Sequence, residues 1–194
     1  MSHLMPRLAR RGAGLGVACA LAGAVLVFPT APAQASRAPI TSDEQDYYSY
    51  YYLGQLHASG YTGRGVTIGL LDGPVNTNIP ELAGARIQSY SPCTVGSQDK
   101  YWDHGTVIAQ VISSPQFGVA PGANLRAYTL SFAGDTTGSD CALGQWGRGY
   151  SDLALLIEDA LNDGVDVITT SSSYPSDYEG MRWALARAIA SKVP

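Results

Sequence analysis

Short apolar runs alternate with segments of helical periodicity along this chain. Residues 66–71 (Val-Thr-Ile-Gly-Leu-Leu) are an apolar run stopped by Asp72-Gly73-Pro74, a pattern that predicts a buried strand of a parallel sheet. Residues 85–90, 125–130 and 165–168 read as three more strands. Residues 104–112 predict a helix with His104 in its first turn. From Ser151 onward, Leu153, Leu156, Ile157, Ala160 and Leu161 recur at helical spacing, with serine as the cap and Asn162-Asp163-Gly164 as the stop. Ser176 with Glu179 forms a capping box for a last helix over 177–191. Strand and helix in this order predict an α/β fold of three layers, a mostly parallel sheet with helices on both faces.

That architecture gives two residues a special place. Asp72 stands at the carboxyl end of the first strand, where open α/β sheets hold their ligands. A strand-end acid and a helix-start imidazole can meet over that edge, and such a pair is half of a nucleophilic hydrolase. Serine is a weak nucleophile alone, so it needs a base within hydrogen-bond reach and a third group to orient that base. Asp103 is the other acid near His104. Adjacent residues on a helix point in different directions, so Asp103 suits the positive end of the helix better than it suits the imidazole. A lone histidine at a helix start is otherwise a solvated surface residue.

At these residues the chain resembles a known family. The stretch 63–73 (Gly-Arg-Gly-Val-Thr-Ile-Gly-Leu-Leu-Asp-Gly) resembles the first catalytic block of the subtilisin-like serine peptidases, the subtilases. His104-Gly105-Thr106-Val107-Ile108-Ala109, with Gly118-Val119-Ala120-Pro121 after it, resembles the second. The order acid, then histidine, is that of subtilisin. The resemblance covers residues 47–194 and corresponds to the first half of a catalytic domain. It implies Asp72 and His104 as catalytic residues of an Asp-His-Ser triad. It also implies that Ser171, Ser172 and Ser173 line the pocket for the residue before the scissile bond, with their backbone pairing to an extended peptide.

Three departures qualify the match. Gly73 follows the acid where the family mostly has Ser or Thr, so a hydroxyl that helps to fix the carboxylate is absent. Ser173 stands in place of the usual glycine and narrows the expected pocket. The family's Gly-Thr-Ser nucleophile block and its oxyanion-hole asparagine do not occur within the 194 residues. The expected function is that of a secreted serine-type endopeptidase whose acid and base alone lie in this chain, which as written does not turn over peptide bonds. The alternative is an exported, catalytically inactive domain that binds extended peptides.

The bulk properties fit export. Arg7, Arg10 and Arg11 precede an apolar stretch over 15–28 and the small residues Ala33-Gln34-Ala35, the layout of a signal peptide over 1–35. Glycine and proline interrupt that stretch, which disfavours a membrane anchor, and little apolar sequence precedes Cys19 to support lipid attachment. Removing 35 of 194 residues leaves 159, enough for one domain with a core. Removing the three arginines takes the formal charge from −4 to −7, which argues against nucleic acid or an anionic membrane as partner. The partner expected is a peptide or protein substrate.

Residues 36–60 form a lead-in in which Tyr47, Tyr48, Tyr50, Tyr51 and Tyr52 predict a short helix laying its aromatic side on the domain 61–194. His57 within it reads as a surface residue. Cys93 and Cys141 remain after cleavage and, in an oxidising compartment, are expected to bridge. No cofactor is expected. By the same resemblance the loop over 131–150 borders the substrate edge and offers Asp135 and Asp140 as candidate calcium ligands, though an ordinary solvated loop explains them as well.

Overall fold

The computed structural model describes residues 38–91, 101–130, 153–171 and 179–194. Four strands form one sheet: β1 (Thr67–Asp72), β2 (Arg86–Tyr90), β3 (Asn124–Thr129) and β4 (Val167–Thr169). Their order is β2-β3-β1-β4, and every neighbouring pair is parallel. β1 is central, with Ile68 opposite Leu125 on one side and opposite Val167 on the other. Cover on both faces, with Leu70 in one core cluster and Leu71 in the other, explains why its sequence is an unbroken apolar run and not an alternating one.

Five helices accompany the sheet among the described residues: α1 (Asp46–Tyr50), α2 (Leu53–Ala58), α3 (Tyr101–Ser113), α4 (Leu153–Asn162) and α5 (Glu179–Ala190). Alternation along β1 divides the core between two faces. Leu71 joins Tyr128, Leu130 and the apolar side of α4, with Met181 and Ala184 of α5. Leu70 joins Leu125, Ala127 and Ala109 of α3 on the other face. The result is the α/β three-layer arrangement that the strand–helix order predicted. Leu70 and Leu71 are both fully buried, each contributing about 1.5–3 kcal/mol by removal from water.

The local stops follow from chemistry. Gly164, at φ 71°, ends α4; its amide bonds to Leu161 O while that of Val165 bonds to Ala160 O. This paired closure needs a left-handed residue, and glycine adopts that conformation without steric cost. α3 begins at Tyr101, three residues before the expected start. The caps expected at Ser151 and Ser176 lie outside the described residues, as do residues 1–37, Cys93, Cys141 and the loop over 131–150 with Asp135 and Asp140.

The lead-in differs from its expected form. It is two short helices, broken at Tyr52, whose φ is 53°. Tyr47 donates its hydroxyl to Phe117 O at 3.0 Å, and burial holds its phenol above the usual pKa. His57 Nε2 lies 3.2 Å from Val119 O. Tyr50, Tyr51 and Tyr52, however, are 62–75% exposed, so most of the aromatic side faces solvent. No helix among the described residues is long and apolar enough to cross a membrane.

Candidate active site

Asp72 is the last residue of β1, and its backbone carbonyl accepts from Leu130 N at 2.7 Å, which pins the strand end. Its side chain is fully buried. A buried carboxylate is tolerable only when hydrogen bonds replace the lost water, and here both oxygens are engaged. Oδ1 accepts from Gly73 N at 2.6 Å and lies 2.6 Å from His104 Nδ1. Oδ2 accepts the hydroxyl of Ser171 at 2.5 Å.

His104 reaches this carboxylate because α3 packs tightly against the turn after β1. Gly105 sits against the backbone of Gly73 and Pro74, where a β-carbon would overlap the Gly73 carbonyl. Thr106 Oγ1 accepts from Asn76 N at 2.9 Å and ties the next helical residue to the same turn. The His-Gly-Thr sequence therefore has a packing cause at each position. The imidazole remains 43% exposed, so one edge of the ring meets the buried acid while the rest is open to a reactant. Asp103 is exposed on the helix.

A hydroxyl reaches the acid from a distant part of the sequence. Ser171 follows β4, in which Thr169 pairs with Leu70 of β1. Two residues beyond each of these come Ser171 and Asp72, so parallel register brings them together. The residue expected only as part of a pocket wall thus has its side chain on the acid. Nothing in the local sequence marks this, because it depends on the pairing of two strands about a hundred residues apart. Ser172 and Ser173 lie outside the described residues. Among the described residues no three His, Cys, Asp or Glu side chains cluster as a metal site.

An acid at a central strand tip, bonded to an imidazole at a helix start, can hold that imidazole in one tautomer and stabilise its protonated form. Comparison with known proteins gives this geometry its context. Subtilisin E from Bacillus subtilis (strain 168) is 29% identical over 143 residues, 71% of this chain and 35% of its own length. Subtilisin DY from Bacillus licheniformis is 30% identical over 146 residues, 72% of this chain and 48% of its own.

The chain is subtilisin-like. It spans about a third to a half of the length of these curated relatives. No family model matches it. The fold agrees: a mutant of the protease domain of PatA superposes with a TM-score of 0.54 at 21% identity, covering 69% of this chain and 49% of that one. In this subtilisin-like chain, then, a shared sheet carries an acid held by three donors, two of them supplied by residues distant in sequence.

Proposed function

We propose that this chain supplies the acid and the base of a secreted serine endopeptidase of the subtilisin type. The observation that carries the reading is the 2.6 Å contact between Asp72 Oδ1 and His104 Nδ1 at the carboxyl edge of the parallel sheet. With Nδ1 turned to the acid, Nε2 is the nitrogen left to take a proton from a serine hydroxyl as that oxygen attacks the peptide carbonyl. The imidazolium then gives this proton to the leaving amine, and water releases the acyl group by the same base. Asp72 orients the ring and stabilises the imidazolium.

No serine of the 194 residues is assigned as nucleophile. The hydroxyl of Ser171 is engaged by Asp72, and no Gly-Thr-Ser block is present. The 194-residue chain alone is therefore read as inactive toward peptide bonds. Ser171, Ser172 and Ser173 are read, as the family resemblance implies, as residues whose backbone would pair with an extended peptide substrate. Residues 1–35 are read as a signal peptide that exports the chain.

The test is to express the chain together with the remainder of the subtilisin E catalytic domain and to follow a fluorogenic peptide and a fluorophosphonate label. Turnover and labelling are expected from the combination, and neither from the chain alone. His104→Ala in the combination should abolish both. Undiminished turnover in that variant would show that the base lies elsewhere.

A further inference from the structure

The amino ends of β1, β2 and β3 border a groove of about 450 Å³, lined by Thr67, Arg86, Gln88, Asn124, Arg126 and Asp163 among others. That volume falls within the range of small-ligand sites. Two arginines share its wall. Arg86 is in register with Asn124, and Gln88 with Arg126, so all four side chains belong to one face of the sheet. Each guanidinium is steadied by an amide from the neighbouring strand. Arg86 Nε donates to Asn124 Oδ1 at 3.0 Å, and Arg126 Nε donates to Gln88 Oε1 at 3.2 Å.

Neutral partners of this kind fix a guanidinium without cancelling its charge. The carboxylates nearby are already engaged. Asp163 pairs with Arg126 at 3.0 Å and accepts the hydroxyl of Tyr128 at 2.7 Å. Asp166 accepts from Thr67 N at 2.8 Å, and Asp159 lies 3.4 Å from the hydroxyl of Tyr90. Of the two arginines, Arg86 is the one with no carboxylate on it among the described residues. Its two Nη groups form the planar fork that suits a carboxylate or a phosphate.

We propose that this groove binds an oxyanion, the carboxylate or phosphate group of a small molecule or polymer, between Arg86 and Arg126. The site is separate from the acid–base pair. It lies at the amino ends of the strands, and the six residues from Thr67 to Asp72 span about 17 Å. The proposal does not rest on the peptidase reading and can fail independently of it. The chain as a whole is acidic, with a formal charge of −4, so anion binding here would be local and not a bulk attraction.

The experiment is nuclear magnetic resonance of arginine Nε–H groups in the 194-residue chain at constant ionic strength. Inorganic phosphate and glutarate are titrated separately. Saturable shifts at Arg86 and Arg126 are expected, with His104 unmoved. Saturation by phosphate alone assigns phosphate chemistry, and saturation by glutarate alone assigns carboxylate chemistry. Arg86→Gln should weaken binding by about tenfold or more, Arg86→Lys by less because charge survives while the fork is lost. Asp163→Asn should tighten it, since a competing carboxylate is removed. Shifts that stay linear in both anions, that persist in Arg86→Gln, or that are as large at His104 would overturn the proposal. If Arg86→Gln does not fold, the wild-type titrations and Asp163→Asn decide.

Discussion

The hydroxyl of Ser171 donates to Oδ2 of Asp72 at 2.5 Å, joining two residues 99 apart in sequence. Asp72 is fully buried, and its other oxygen already serves Gly73 and His104. Ser171→Ala would leave Oδ2 in a dry site without a donor. The penalty for such an unsatisfied group is about 1–3 kcal/mol, and more when the group is charged. Urea unfolding of the variant should show a loss of at least this order, while Ser171→Thr, which keeps the hydroxyl, should recover most of it. A Ser171→Ala chain as stable as wild type would mean that the contact contributes nothing.

Gly105 is the residue that lets α3 approach the turn after β1. A methyl group there would occupy the space of the Gly73 carbonyl and crowd that of Pro74. Backbone on both sides leaves no flexible side chain to yield. Gly105→Ala is expected to destabilise by about 1–3 kcal/mol, the usual range for overpacking, or more because rigid backbone is struck. It should also move His104 away from Asp72. Loss of the downfield Nδ1 proton resonance of His104 would report that movement, and its survival unchanged would argue against close approach as the reason for glycine.

Much of this arrangement was legible in the sequence, for reasons particular to each element. The run before Asp72 ends in Gly73-Pro74, so the strand tip was visible. His104 precedes a small residue and a regular apolar helix, so its place near a helix start was visible too. The strand order was not, because β2 and β3 carry no mark of which neighbour they take. Nor was the role of the Ser171 side chain, which exists only once β4 is in register with β1. The start of α3 at Tyr101 was missed because Tyr101, Trp102 and Asp103 precede the apolar run from which the helix was read. The lead-in tyrosines misled in the opposite direction: their spacing suggested burial, yet Tyr50, Tyr51 and Tyr52 face solvent, and only Tyr47 has its hydroxyl bonded to the loop after α3.

Asp72→Asn tests orientation separately from charge. The amide is nearly isosteric, so the fold should persist. It can nevertheless donate toward Nδ1 and so favour the tautomer with the proton on the wrong nitrogen. In the active combination with a subtilisin portion, turnover should fall by about 10⁴ while substrate binding changes little. Steady-state kinetics of the variant, read as kcat against KM, would check this. A loss confined to KM would assign Asp72 to substrate binding and not to the base.

Tyr128 provides a pH test on the other side of the sheet. Its ring is buried, with 1% exposure, and its hydroxyl donates to Asp163 Oδ2 at 2.7 Å. Burial first, and that bond to a carboxylate second, hold the phenol well above its ordinary value. The fold thus prefers the neutral phenol. The stabilisation is fully present below the unfolded value of about 10 and is lost as pH rises toward the folded one. Tyr128→Phe keeps the ring and removes the bond, which should cost about 1 kcal/mol at neutral pH because Asp163 retains Arg126 and partial solvent. Above about pH 10 the two proteins should converge in stability, since the wild type alone gives up this contribution. Urea midpoints measured across that range would show narrowing curves; parallel curves would place the alkaline sensitivity in another residue.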